Sequence, residues 1–475
     1  MTLPESGSLS VSAPPRVSVL ATLRDAIRGS HSYDYTEGPL GRAVILLAIP
    51  MVMEMIMESV FAVVDVFFVS QLGADAVSTV GLTEAMMTIV YGIAIGLCIG
   101  ATAVVARRIG EKDEDGAARA AVQAVALAIF VAIPIAIVGI VFGPQLLGAM
   151  GASPSVVERG GLYTRVMIGG NVVVLLLFML NAIFRGAGDA AIAMRVLWLG
   201  NIINCILDPC LIFGIGPFPE LGVVGASVAT TTGRGCAVCV QLYTLWRGTS
   251  RIKITRAHLR LDPGVMWTML KLSGTGTFQT LIGMTCYLML VRVLAVFGSN
   301  VLAGYTIAIR VIMFALLPSW GMSNAAATMV GQNLGAKRPE RAEQAVWRAG
   351  FYNFLFLGSV GAFFVLFPRL VIGIFSNDPA IVPYGVACLR IVSCGFVFYA
   401  YGMVLTQSFN GAGDTWTPTW INIFCFWVFQ VPAAYFLSRI WGPPGVFVAM
   451  MLGYSLLAVV SGVLFRRGTW KLRKV

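Results

Sequence analysis

Long apolar stretches separated by short polar segments are the main feature of the chain. A helix that crosses a membrane needs about 20 mostly apolar residues, because each residue adds only about 1.5 Å. Twelve stretches meet this requirement, and the pattern predicts an all-α integral membrane protein with twelve transmembrane helices. They are residues 43–71, 78–106, 117–143, 161–184, 190–214, 222–246, 264–297, 301–333, 343–368, 382–409, 416–440 and 443–465.

Composition agrees with this pattern, since 58% of the residues are hydrophobic, 12% are charged and the mean hydropathy is +0.84. A soluble domain carries about 25% charged residues, so a water-soluble protein is excluded. The net charge of +11 does not indicate nucleic acid, because the basic residues cluster between the apolar stretches. We therefore expect no nucleic-acid partner.

The distribution of basic residues predicts the orientation. With the N-terminus inside, the outer segments hold only five arginines, and all the other basic clusters between and after the spans face the cytoplasm. We expect a multi-pass protein of the cell membrane with both termini cytoplasmic. No apolar core follows Met1, so a cytoplasmic tail is expected there rather than a signal peptide. The outer arginines are Arg159, Arg165, Arg369, Arg390 and Arg439.

The chain repeats itself at an offset of 225 residues, because FRGAGD at 184–189 returns as FNGAGD at 409–414. Each half holds six spans, so the halves are predicted to be parallel repeats related by an axis along the membrane normal. We expect Asp189 and Asp414 of these motifs to cap the following helices. The predicted divisions are a tail (1–42), two six-helix bundles (43–246 and 264–465), a cytoplasmic linker (247–263) and a basic tail (466–475).

Carboxylates inside the predicted spans are the candidate functional groups, since each charge at the membrane centre costs about 2.5–3.5 kcal/mol. Glu54, Glu58 and Asp65 lie on one face of the first helix, and Asp208 in the fifth follows Asn204 by one turn. The helical rise places Asp65 and Asp208 at a common depth, about 9 Å below the outer end. Glu84 in the second helix falls near that level, and Glu54 near the midplane.

The second half does not copy these acids. At the repeat offset, the three acidic positions of the first helix become Gln279, Gly283 and Leu290, and aligning the prolines of the fifth and eleventh helices puts Val431 opposite Asp208. This asymmetry predicts an ion site in the first half only and disfavours a channel. A purely structural alternative is a set of buried ion pairs, for which the membranous arginines are the available partners: Arg234, Arg292 and Arg310.

Several motifs make the chain resemble the multidrug and toxic compound extrusion (MATE) family over about residues 42–466. They are LAIPM at 47–51, VVDVFFVSQLG at 63–73, FRGAGD, NIINCILDP at 201–209, GVVGASVAT at 222–230, AIRVIMFALLPSWGMSNAAATMVGQNLGA at 308–336 and FNGAGDT.

The resemblance implies an antiporter that exports organic solutes in exchange for protons or sodium, without ATP. Consistent with this, no GxxxxGK[ST] phosphate loop is present. The family's coupling-ion residues map onto Asp65, Asn204 and Asp208, with Thr230 as a further oxygen. The departure is at Glu54 and Glu58, where relatives more often have uncharged polar residues.

Protons are the expected coupling ion, because two nearby carboxylates in a low-dielectric site repel each other and favour a proton on one of them. Glu54 and Glu58 add protonatable groups along the same face. Sodium is the alternative, since four side chains of the site offer oxygen atoms. With only two histidines, His31 and His258, we expect no organic cofactor, no metal beyond sodium and no enzyme activity.

An acidic site indicates cationic or amphiphilic organic compounds as cargo. We also expect membrane lipid as the surroundings of the protein, and a monomer. The alternative is a lipid-linked oligosaccharide or lipid flippase of the same superfamily. A flippase would favour a strongly cationic cavity, which would hold a pyrophosphate.

Overall fold

The computed structural model describes residues 19–29 and 33–473, which form helices and turns and contain no strand. Parts of the two predicted tails, together with His31, lie outside the described residues.

The described residues contain twelve candidate spanning segments when the bent pair is taken as one, as the apolar pattern predicts. Eleven are single stretches long and apolar enough to cross a membrane, and the tenth is a pair of helices bent by 58°. The spans are Leu40–Ser70, Ala74–Gly110, Glu114–Ala149, Pro154–Ala187, Ala190–Phe213, Val223–Arg247, Pro263–Ala295, Ser299–Gly335, Pro339–Leu366, Val382–Cys394 with Phe396–Gly411, Trp416–Trp441 and Pro443–Arg466. They are called spans 1 to 12 below. The shorter helices are Val19–Arg28, Arg256–Leu259, Pro368–Gly373 and Thr469–Leu472.

Two further spans are irregular. Span 4 consists of Pro154–Gly169 and Asn171–Ala187, and span 11 contains a π-helix over Ile423–Gln430 before it continues as Val431–Trp441. A π-helical turn is rare and changes which side chains face the interior. Span 11 therefore does not follow the regular course of span 5, its counterpart in the first half.

Polar side chains fix several helix ends. The Asp113 carboxylate accepts the N–H of Gly116 at 2.8 Å, which is the capping bond that the sequence favours at such a position. Asp189 is the N-cap residue of span 5, as predicted, but the side-chain capping bond is absent. Its carboxylate instead accepts the backbone N–H of Arg251 at 2.7 Å and lies 3.8 Å from the Arg251 guanidinium, so Arg251 competes for it.

The capping prediction is wrong for Asp414. Its carboxylate accepts the hydroxyl of Thr417 at 2.7 Å and lies 3.2 Å from the Arg473 guanidinium, with no bond to a helix N–H. Each repeat thus ties its GAGD aspartate to an arginine that follows its sixth span.

The two six-helix halves meet on one side of the bundle, called the termini side because both described ends of the chain lie there. Spans 2 and 8 cross closely: a Cβ added to Gly110 would lie 2.0 Å from the Gln332 carbonyl oxygen. One added to Gly335 would lie 2.3 Å from the Arg107 carbonyl oxygen. The amide of Gln332 also donates to the Gly186 carbonyl at 2.9 Å. Nearer the other end of span 2, by contrast, a Cβ added to Gly81 would meet nothing within 4 Å.

Residues 33–38 join the two halves across the termini side. The Tyr35 hydroxyl donates to the Gly188 carbonyl of the first half at 3.1 Å, while Arg338 of the second half donates to the Thr36 carbonyl at 2.6 Å. Arg341 donates to the Glu37 carbonyl at 2.7 Å. The last residues of the predicted tail are therefore packed between the bundles rather than free.

Candidate functional site

Three of the predicted site residues meet in the first half. The Asn204 amide donates to Oδ1 of Asp208 at 3.3 Å and to the hydroxyl oxygen of Thr230 at 3.1 Å. Asn204 and Asp208 share a face of span 5 because they are four residues apart, and span 6 supplies Thr230. Asp208 is fully buried and the other two side chains are nearly so.

Two oxygens of this group are buried without a partner among the described residues: Oδ2 of Asp208 and Oδ1 of Asn204. A buried anionic oxygen without a hydrogen bond costs several kcal/mol, so it is stabilised by a proton or a cation. Pro209 follows at once and cannot donate a backbone hydrogen bond within the helix, which weakens the regular structure beside the acid. The group has the chemistry of a small cation or proton site.

Asp65 of span 1 and Glu84 of span 2 complete this acidic surface. Asp65 lies close enough to Asp208 and to Glu84 for its charge to act on both acids. This agrees with the common depth that the helical rise predicts. We refer to Asp65, Asn204, Asp208 and Thr230 as the coupling site.

Glu54 lies apart from that site, in a buried polar network. Its Oε1 accepts hydrogen bonds from the Asn181 amide and from the Arg185 guanidinium, both at 3.1 Å. Gln241 donates in turn to Asn181 Oδ1 at 2.6 Å. The structure therefore gives Glu54 an arginine counter-ion, as the ion-pair alternative predicts.

Glu58 has its own arginine as well. Its Oε1 lies 3.5 Å from Nη2 of Arg234 in span 6. The two additional glutamates of span 1 are thus neutralised, whereas Asp65, Glu84 and Asp208 have no ion-pair partner within 4.0 Å among the described residues. The excess negative charge of this half lies at and beside the coupling site.

The role of Arg185 is the main one that the sequence analysis misses, because its place in FRGAGD assigns it to the cytoplasmic border. Its side chain is long enough to reach back into the bundle and contact Glu54 across more than a hundred residues of sequence. The sequence does offer one signal for this contact. Glu54 has no obvious counter-ion in its own helix, and the long side chain of Arg185 can reach its depth in the bundle.

We expect Glu54→Gln to lower the free energy of unfolding by about 3–5 kcal/mol, because it leaves the Arg185 charge buried without a counter-ion. Thermal unfolding of the purified protein in detergent measures this loss. Adding Arg185→Gln should restore part of it. A single variant as stable as the parent would contradict the buried ion pair.

The second half offers an uncharged counterpart of the coupling site. Gly233 of span 6 packs against Asn204, and Gly453 of span 12 packs against the Gln430 side chain in the same way. Gln430 thus takes the place of Asn204. Ala434, one turn later, takes the place of Asp208. This residue differs from the valine that aligning the prolines suggests, because the π-helix shifts the register of span 11.

The described residues hold no group of three or more His, Cys, Asp or Glu side chains arranged to bind a metal ion. The coupling site instead presents carboxylate, amide and hydroxyl oxygens. Such donors suit a proton or a hard cation.

Comparison with known proteins identifies the family. Residues 50–210 and 273–436 match the MatE family model, one segment in each half of the chain. The chain belongs to the MatE family. The resemblance that the motifs predict is therefore confirmed, and so are the twelve-helix, two-repeat fold and the expectation of a transporter rather than an enzyme.

Relatives of this MatE protein are similar to it along nearly their whole length. The probable multidrug resistance protein NorM of Thermotoga maritima is 27% identical over 91% of this chain and 94% of the relative. The FAD transporter of Shewanella oneidensis is 25% identical over 90% of this chain and 95% of the relative. The multidrug export protein MepA of Staphylococcus aureus is 20% identical over 90% of this chain and 94% of the relative.

Solved structures of MATE transporters share the fold. A MATE in complex with MaD5 superposes with a TM-score of 0.85 at 28% identity and covers 92% of this chain and 98% of its own. An outward-facing multidrug resistance MATE transporter of the MOP superfamily also gives 0.85 at 28% identity, over 91% and 96%. A MOP superfamily transporter from Pyrococcus furiosus is described as having a binding pocket of reversed polarity. It superposes with a TM-score of 0.85 at 27% identity and covers 93% of this chain and 98% of its own. This MatE protein is thus a multi-pass membrane transporter for small molecules, of the multidrug efflux type.

Proposed function

We propose that the protein exports cationic and amphiphilic organic compounds across the cell membrane in exchange for protons, by alternating access. The observation that carries this proposal is the coupling site itself, with a fully buried Asp208 whose Oδ2 has no partner among the described residues. Asp65 lies near enough for the two charges to interact. Binding of a proton there relieves both burial and repulsion.

Charge balance supports a cationic cargo. Arginines pair with Glu54 and Glu58, so the remaining charge at the coupling site is negative and comes from Asp65 and Asp208. An acidic cavity attracts organic cations and repels phosphates. The Shewanella relative is named a FAD transporter, so substrates differ within the family, and a negatively charged dinucleotide does not fit the acidic surface here.

Sodium is the second candidate for the coupling ion. The unpartnered oxygens of Asp208 and Asn204, with the Thr230 hydroxyl next to them, form a donor set that a sodium ion would accept. We favour the proton because the Asn204 amide directs its N–H group, not its oxygen, towards Asp208 and Thr230. Because arginines pair with both Glu54 and Glu58, these glutamates do not add free proton-binding groups, and the proton proposal rests on the coupling site alone.

In the proposed cycle, the drug and the proton use the first half in turn. Ionised Asp65 and Asp208 make the first half negative and so attract the cationic drug when the cavity opens to the cytoplasm. Protonation from the outer side neutralises them, so the drug leaves into the outer medium. Each chain contains both halves and the complete site, which is why we propose a monomer as the transporting unit.

Efflux from proteoliposomes tests this function, with the pH and sodium gradients imposed separately. Ethidium, an aromatic cation, serves as the cargo. We expect efflux that follows the pH gradient and persists without sodium. Efflux that stops when sodium is removed at a constant pH gradient, and survives dissipation of that gradient, would replace the proton by sodium.

The proposed orientation places the termini side in the cytoplasm. A cysteine at the exposed Ala257 of the linker should react with a membrane-impermeant maleimide only from the cytoplasmic side, and one at the exposed Glu220 only from outside. The exposed native cysteines, Cys239 and Cys394, are first replaced by serine. Labelling of residue 257 from the outer medium would reverse the topology.

A further inference from the structure

Arg234 is a buried cation held by groups from two neighbouring spans. Its Nη2 lies 3.5 Å from Glu58 of span 1, and its Nη1 donates to the Tyr91 hydroxyl of span 2 at 3.4 Å. The guanidinium carbon lies 5.6 Å from the centre of the Phe61 ring. The Arg234 side chain is only 8% exposed, so these contacts replace water.

A carboxylate beside an aromatic face, with a phenol oxygen next to it, is the chemistry that recognises an organic cation. We call Glu58, Phe61 and Tyr91 the cation cage. In this structure the guanidinium of Arg234 occupies the cage, as a tethered equivalent of a planar organic cation. The cage is not sealed, because the Glu58 side chain is 32% exposed.

Arg234 also connects the cage to the coupling site. It follows Thr230 by one helical turn, and its charge interacts with those of Asp65 and Glu84. Glu58 and Asp65 are seven residues apart on one face of span 1, which is about 10 Å along the helix. A flexible arginine side chain anchored between them can approach either carboxylate.

Resting on the proposed function, we infer that Arg234 competes with the exported organic cation for the cation cage and thereby links proton binding to drug release. When Asp65 is ionised, it attracts the guanidinium, and the cage is vacant for the drug. When Asp65 takes up a proton, the guanidinium returns to Glu58, Phe61 and Tyr91 and displaces the drug. The step moves one proton onto one carboxylate and changes no other covalent bond.

Several charged and titratable groups surround Arg234 and enter this competition. Glu58 and Asp65 face it from span 1, Glu84 and Tyr91 from span 2, and Asp208 acts on it indirectly through Asp65. Arg310 of span 8 interacts with Glu84. A pH effect on cargo binding by the wild type alone does not distinguish among these groups. Comparison of the wild type with an Arg234 variant assigns the effect to Arg234.

The test is equilibrium binding of ethidium to the full-length protein in detergent, by fluorescence anisotropy at pH 8 and pH 5.5. One linked proton changes affinity by at most about tenfold per pH unit, which is about 300-fold over this range, and we expect wild-type affinity to fall about tenfold or more at the lower pH. Arg234→Met, which keeps an unbranched apolar stem but removes the guanidinium, should lose clearly less affinity than the wild type between the two pH values. The matched control Arg292→Met, in span 7, should behave like the wild type.

An Arg234→Met variant with the wild-type loss of affinity at pH 5.5 would overturn the competition while leaving the proton antiport proposal intact. A wild type without any such loss would overturn both. If Arg234→Met does not fold, Phe61→Leu removes the ring of the cage and keeps every charge. It should weaken ethidium binding at pH 8 at least about fivefold, and unchanged binding would overturn the cage.

Discussion

Asp208→Asn is expected to abolish gradient-driven export while the protein still folds. The substitution keeps the size of the side chain and its contact with Asn204 but removes the group that binds the proton. Coupling free energies between linked sites reach about 3 kcal/mol, so the initial rate of ethidium efflux should fall about a hundredfold. Proteoliposomes with an imposed pH gradient measure that rate.

Asp65→Asn should have the same effect, because Asp65 and Asp208 act on each other's charge. The matched control is Asp75→Asn at the outer end of span 2, where the carboxylate lies 3.7 Å from the exposed Arg159. Asp75→Asn should transport at the wild-type rate. Wild-type efflux by either Asp65→Asn or Asp208→Asn would reject the coupling site.

Gly110→Leu is expected to stop transport for a different reason, because it prevents the halves from closing on the termini side. A Cβ there would lie 2.0 Å from the Gln332 carbonyl oxygen, a backbone atom that cannot move aside. Overpacking of a tight contact costs about 1–3 kcal/mol, which shifts the equilibrium towards a state open on the termini side about 5- to 150-fold.

Labelling measures this shift. Ala106 is fully buried at the crossing, so a cysteine introduced there should react with an impermeant maleimide from the termini side in the Gly110→Leu protein and remain protected without that substitution. Gly81→Leu on the same span is the matched control, since nothing lies within 4 Å of its added Cβ. Equal protection of the introduced cysteine in all three proteins, with normal efflux, would contradict the closed crossing.

The spans and the helix faces that carry the acids were predictable from the sequence, because membrane thickness and helical period fix them. Hydrocarbon thickness sets the length of each apolar run, and the helical period places Glu54, Glu58 and Asp65 on one face. The grouping of Asn204 with Asp208 follows from the same period. These features depend on local spacing only.

The partners of the acids were not predictable in this way. The contacts of Glu54 with Arg185 and of Glu58 with Arg234 join helices that are more than a hundred residues apart in sequence. They depend on how the spans are arranged around each half, which hydrophobic periodicity does not encode. The same holds for the crossing of spans 2 and 8 and for the position of residues 33–38 between the halves.

Mutual exclusion of the cargo and the proton at the coupling site is the centre of the proposed mechanism. Its most direct test is to add ethidium to the purified protein in weakly buffered detergent at pH 6 and to record proton release with a pH-sensitive dye. Because two interacting carboxylates titrate as a pair, binding should release between about one and two protons, and Asp208→Asn should release fewer. Ethidium binding to the wild type without proton release would contradict this exclusion.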